Sequence, residues 1–174
     1  MMTARIPLSY DFLPPVPAFE VRSADLVDGG VMPDAQVYGV GNVSPELSWT
    51  GAPEGTRSFA VTCYDPDAPT GAGWWHWLAV DLPAETTGLA RGAGADDGGL
   101  PGGAFHVRND FPGHRYDGAA PPPGPAHRYV FVVHALDVPT LGVGPDTPAA
   151  QVGFNLTAHA LGRAVLTVEY QSAP

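Results

Sequence analysis

A chain of 174 residues, 44% of them hydrophobic, is long enough for about one domain with a real buried core. Eighteen acidic residues face eight basic ones, all arginine, and the resulting net charge of −10 excludes general nucleic-acid binding and polybasic docking on an anionic membrane. The single cysteine, Cys63, excludes an internal disulfide and a multi-cysteine zinc site.

The N-terminus lacks the apolar stretch of a secretory signal, and no run approaches the roughly 18 apolar residues of a membrane span, so a cytoplasmic protein without integral membrane insertion is expected. Residues 1–17, with Pro7, Pro14, Pro15 and Pro17, read as an extended arm. The alternation in Phe19-Glu20-Val21-Arg22-Ser23 predicts a half-buried strand, and Asp28-Gly29-Gly30 a turn. Leu47-Ser48-Trp49 predicts a short strand. Residues 57–64 and 74–82 predict two stronger ones.

Residues 88–103 are glycine-rich with Asp96-Asp97 and read as an exposed loop, while 108–125 form a long irregular segment. A third strong strand is expected over 127–136. One helix follows, with Thr147 as N-cap, Pro148 at the first helical position, Val152, Leu156 and Ala160 on one face, and Gly162 at its end. A strand over 163–170 closes the chain. Dense punctuation by 22 Gly and 20 Pro, with strand after strand and one late helix, predicts a single, mainly antiparallel β domain over 1–174.

Side chains alternate faces along a strand. Along residues 59–65, Phe59, Val61, Cys63 and Asp65 share a face, so a carboxylate ends an apolar row; Pro66 and Pro69 lack the N–H needed to continue a ladder. Trp74, His76, Leu78 and Val80 share a face of the next strand, with Trp75, Trp77 and Ala79 opposite. His127, Tyr129, Phe131 and Val133 share a face of the third, opposite Arg128, Val130, Val132 and His134. His127 and His134 therefore point apart, which disfavours a metal pair. His106, His114, His134 and His159 read as structural, and Arg115 and Arg128 as solvated surface charges. No metal or cofactor is expected, and no nucleophile or phosphate-loop motif is present.

Four ordered blocks then carry a resemblance: Asp65-Pro66-Asp67-Ala68-Pro69; Trp74-Trp75-His76-Trp77; Gly118-Ala119-Ala120-Pro121-Pro122-Pro123-Gly124; and His127-Arg128-Tyr129. With Ser44-Pro45-Glu46-Leu47-Ser48-Trp49 and Gly153-Phe154-Asn155 flanking them, the sequence resembles the phosphatidylethanolamine-binding proteins, also called Raf kinase inhibitor-like proteins, in their bacterial YbhB/YbcL branch, over roughly residues 19–170. The resemblance implies an antiparallel β-sandwich with a large central sheet, a smaller sheet and few short helices. It also implies a pocket for a small anion or phospholipid headgroup. By motif, that pocket takes Asp65, Asp67, Pro69, Trp74, His76, His127 and Tyr129, with Gly118, Pro121 and Pro122 as a backbone wall. Animal members carry a C-terminal helix over the pocket; this sequence stops at Pro174 just past a strand, so a more open pocket, or one closed by a partner subunit, is expected. The resemblance implies that a homodimer can form, with Trp75 and Trp77 as candidates for buried or interface packing. Two other functions stay open: an enzyme using the same Asp/His/Tyr set for acid–base chemistry on a small carboxylate or phosphate, and an inhibitor acting on a protease or kinase by protein contact, for which 88–103 is the one candidate loop.

Overall fold

Aromatic and β-branched residues with buried faces dominate the three strongest strands, and these form the centre of the molecule. The structure is a computed structural model that describes residues 5–174. Its strands are β1 (Glu20–Arg22), β2 (Leu47–Thr50), β3 (Ser58–Asp65), β4 (Trp74–Pro83), β5 (Gly88–Leu89), β6 (Phe105–His106) and β7 (His127–Leu136); the helix α1 (Ala149–His159) and β8 (Ala160–Tyr170) follow. A five-stranded antiparallel sheet has the order β6-β4-β3-β7-β8, and a three-stranded one the order β1-β2-β5.

The central pair, β3 and β7, is almost wholly buried because both of its faces are covered. On one face, Phe59, Val61, Cys63, Trp77, Tyr129, Phe131 and Val133 pack with Leu47, Trp49 and Leu89 of the small sheet. On the other, Ala60, Leu78, Val80 and Leu136 pack with Val152 and Leu156 of α1. The expected mainly β architecture, two antiparallel sheets with one helix, is what the chain adopts.

Several local expectations are corrected. The arm is not uniformly extended: a 3₁₀ turn, Ser9–Asp11, interrupts it, with the Asp11 carboxylate accepting from Leu8 N–H at 3.0 Å. Residues 1–4 of the expected arm lie outside the described residues. Residues 88–103 are not a loose loop. They contribute β5 and two 3₁₀ turns, and they bury Leu89, Ala93 and Leu100. Asp96 accepts from Gly98 N–H at 2.8 Å and Asp97 from His106 N–H at 2.7 Å, so the acidic pair builds the turns. The helix begins at Ala149 with Pro148 as its cap residue, and the Thr147 hydroxyl instead accepts from Gly144 N–H at 2.9 Å. The chain leaves α1 directly into β8, so Gly162 lies in a strand. A Cβ there would stand 2.8 Å from Pro53 Cγ and 3.0 Å from Pro17 O, so the glycine serves close packing.

Candidate functional site

The site forms where β3, β4 and β7 end together. Asp65, the last residue of β3, is buried because Pro66 stops the ladder and the chain turns back, with Asp67 N–H donating to Asp65 Oδ1 at 2.8 Å. Across the sheet end, His127 Nδ1 lies 2.8 Å from Asp65 Oδ2. Two positions along β7, Tyr129 stands on the same face, 1% exposed.

His76 reaches this cluster through an irregularity that alternation does not foresee. Cys63 pairs with Trp77 but Tyr64 pairs with Trp75, so His76 is the extra residue of a β-bulge. Trp74 and His76 therefore face the site while Trp77 and Ala79 also enter the core on that side; Leu78 and Val80 turn to the helix side. The expected shared face of Trp74, His76, Leu78 and Val80 is corrected accordingly. A second register shift follows between Val61–Ala79 and Phe59–Leu82. It contains Asp81, at φ +60°, whose carboxylate accepts from Leu141 N–H at 2.8 Å.

His76 is held from behind. Its Nδ1 lies 2.8 Å from Asp117 O and 3.0 Å from Gly118 O. Both partners are acceptors, so Nδ1 carries the proton and Nε2 keeps its lone pair. Burial lowers the His76 pKa and outweighs the opposing carbonyls and the Asp65 charge, so the ring is neutral near pH 7. Gly118 is required by this arrangement: a Cβ would sit 1.8 Å from Gln36 O.

A polar network fixes that loop. The Asp117 carboxylate accepts from Asn42 at 3.0 Å, Asn109 at 2.9 Å and Arg115 at 2.8 Å. Burial opposes its ionisation, but Arg115, Asn109 and Asn42 together hold it below the ordinary carboxylate range.

These groups surround a cavity of about 200 Å³. Of the residues expected there, Asp65, Pro69, Trp74, His76, Pro121, Pro122, His127 and Tyr129 line it. Asp67 and Gly118 do not; both support it from outside. The Arg128 guanidinium grips the Asp67 carboxylate in a bidentate pair, Nε at 2.8 Å and Nη2 at 2.7 Å, while Arg128 N–H donates at 2.9 Å. Burial acts against it, yet Arg128 holds Asp67 below its usual pKa. Arg128 is thus no solvated surface charge, whereas Arg115 keeps half its side chain in solvent while it pairs with Asp117.

Sequence reasoning missed Phe111, which stands edge-on to His76 at 5.3 Å and to Trp74 at 5.5 Å and stacks on Tyr38 at 4.7 Å. Tyr129 packs on His76 as well, at 5.1 Å, so the imidazole lies among aromatic rings. The proline wall is tied to the chain end, with Ser172 Oγ donating to Pro121 O at 2.6 Å and Gln171 Nε2 to Gly124 O at 2.7 Å.

Two cavity residues carry buried donors without a partner among the described residues: the Tyr129 hydroxyl and Trp74 Nε1. Burial first, and the Asp65 charge second, push the Tyr129 pKa up, so it remains a phenol and a donor. The site therefore offers O–H and N–H donors beside one carboxylate and one imidazole lone pair. Cys63, one row deeper, is no reactive thiolate: burial raises its pKa well above the ordinary value.

The family model for phosphatidylethanolamine-binding protein matches residues 22–171, and the chain belongs to that family. It is 49% identical to YbhB of Escherichia coli over 153 residues, 85% of this chain and 97% of YbhB. It is 45% identical to E. coli YbcL over 161 residues, 88% of each chain. The crystal structure of E. coli YbcL superposes with a TM-score of 0.87, covering 89% of this chain and 99% of that one. Among the described residues no helix is long and apolar enough to cross a membrane.

Proposed function

We propose that the cavity binds a small phosphorylated or carboxylated ligand, the headgroup of a phospholipid or a free molecule of like chemistry such as phosphoethanolamine. The observation that carries this is the pair of orphaned donors, Tyr129 O–H and Trp74 Nε1–H, among the residues lining a cavity that also holds His127 and His76. A buried donor without an acceptor costs about 1–3 kcal/mol, and ligand oxygens are the acceptors that remove this cost. Asp65 and the His76 lone pair are acceptors, suited to an ammonium or a P–OH group. A zwitterionic headgroup thus meets both sets, in a protein whose net charge of −10 gives a bare anion no long-range attraction.

Size and energetics agree on a modest binder. About 200 Å³ lies below the roughly 300–1,000 Å³ of drug-sized sites, so a headgroup fits and an acyl chain does not. Three charge-assisted hydrogen bonds contribute roughly 5–9 kcal/mol against an association cost of about 4–15 kcal/mol, so bare phosphate binds at about millimolar strength. Calorimetric titration of phosphate and phosphoethanolamine between pH 5.5 and 8 tests the reading. Binding is expected to be weak in His127→Ala, which removes a ring nitrogen donor beside the ligand; wild-type affinity in that variant contradicts it.

A second reading rests on the 2.8 Å Asp65–His127 pair beside a phenol, a set able to move protons in acid–base catalysis. Turnover of small phosphomonoesters or carboxylates by the wild type, and its loss in His127→Ala, would favour it. The contact-inhibitor reading keeps 88–103 as its candidate surface: Leu89, Ala93 and Leu100 anchor the segment, while residues 95–99 are exposed, and capture of one stoichiometric protein partner would favour it. The cytoplasm and a homodimeric state belong to the proposal as well, and cell fractionation and light scattering test them.

A further inference from the structure

A second cavity lies on the opposite face of the main sheet, between α1 and residues 9–13. It has a volume of about 370 Å³, within the range of small-molecule sites. Leu13, Trp75, Gly153, Phe154 and Leu156 give it an apolar lining. Trp75 leans on Tyr64 at 4.6 Å and leaves its indole edge toward the helix, where a Cβ on Gly153 would meet it at 3.7 Å.

Two polar side chains at this cavity are left without the partners that burial demands. Arg163 is 7% exposed and His134 1%, and they sit opposite each other on β8 and β7. No carboxylate among the described residues pairs with Arg163; the Tyr10 ring, 5.3 Å from Cζ, is its neighbour, and burial lowers its pKa. His134 Nε2 meets Thr62 Oγ1 at 2.8 Å, but Nδ1 has no partner. Among the described residues this largely buried cation has a π cloud and no carboxylate beside it, which is costly, as is a buried ring nitrogen left alone. An anion beside both removes the two costs together, and the apolar lining next to them takes an uncharged body.

We propose that this cavity is a second ligand site, for an amphiphile with one anionic head and an apolar tail, of the medium-chain carboxylate class. The carboxylate sits at Arg163 and His134, and the tail runs along Trp75, Leu13 and Leu156 beneath α1. The headgroup cavity is the smaller of the two, about 200 Å³ against about 370 Å³. The two lie on opposite faces of the sheet, so their occupancies are separable.

Titration of the full chain with decanoate, with decanol as the neutral control, tests the proposal. Arg163→Met is expected to weaken decanoate by about tenfold while leaving decanol nearly unchanged, because only the charged head is lost. Gly153→Leu is expected to abolish binding of both by filling the space against Trp75, and it favours the helix, so folding is retained. Phosphate binding should be unaffected in either variant. The proposal is overturned if the wild type binds no decanoate, or if Arg163→Met leaves the preference for decanoate over decanol intact. Decanoate binding unchanged in Gly153→Leu would also overturn it, as would a Gly153→Leu effect confined to dissociating a dimer, which would assign the face to a second copy of the chain.

Discussion

Asp65 and His127, 62 residues apart in sequence, share a 2.8 Å hydrogen bond between side chains that are each more than nine-tenths buried. The carboxylate cannot serve as a free repellent charge, because Oδ2 is engaged by the imidazole and Oδ1 by Asp67 N–H. Asp65→Asn keeps the shape but removes the charge that orients and complements the ring. Phosphate affinity in the variant is expected to fall by about tenfold, as for one charge-assisted bond. Calorimetry at pH 6 checks it; a gain in affinity would show that Asp65 chiefly repels anions.

Tyr129→Phe separates function from stability. The hydroxyl is buried and has no partner among the described residues, so its removal relieves a desolvation cost. The melting temperature is expected to hold or rise slightly, while phosphate or phosphoethanolamine binding weakens by roughly ten- to a hundredfold. Thermal unfolding and calorimetry on one preparation measure both.

Gly118→Ala is expected to harm both. The new methyl would stand 1.8 Å from Gln36 O, a backbone atom that cannot swing away. The displaced loop carries one of the two carbonyls on His76. Destabilisation of about 3 kcal/mol and weaker ligand binding are expected. Gly103→Ala, where nothing lies within 4 Å, is the matched control and should change little. Urea unfolding of the two variants decides.

His134 makes stability depend on pH in a stated direction. Burial, with the Arg163 charge adding to it, pushes its pKa down to about 3 from the ordinary 6.5. The unfolded chain takes up this proton below about pH 6.5 while the folded chain does not. The stability linked to His134 is therefore complete above that pH and falls by up to about 1.4 kcal/mol per pH unit on acidification. His134→Gln, which retains a partner for Thr62, should flatten the profile between pH 6.5 and 4; an unchanged slope would remove His134 as its cause.

How far the sequence could be read depends on where the backbone is regular. Along β3 and β7 the alternation is unbroken, so Asp65, His127 and Tyr129 were legible as one face. In β4 the bulge at His76 reverses the alternation, and Trp77 enters the core on the face where Leu78 and Val80 were expected. His76 itself came out on the right side because it precedes the reversal. Phe111 and the Asp117 network lie in irregular chain, where no periodicity reports burial. Asp67 carries a motif signal without a geometric one: nothing in the spacing reveals that Arg128 of β7, 61 residues further along the chain, engages the carboxylate. The conformational freedom of Gly162 suggests a helix end, whereas its role in the fold is contact with Pro53 and Pro17 within β8.

The most direct measurement is a crystal structure of the full chain grown with phosphoethanolamine near pH 6. The account predicts phosphoryl oxygens within hydrogen-bonding distance of Tyr129 Oη and Trp74 Nε1, with the ligand beside His127 and the proline rim. A ligand-free cavity at saturating concentration, or density for the headgroup only elsewhere on the molecule, would contradict it.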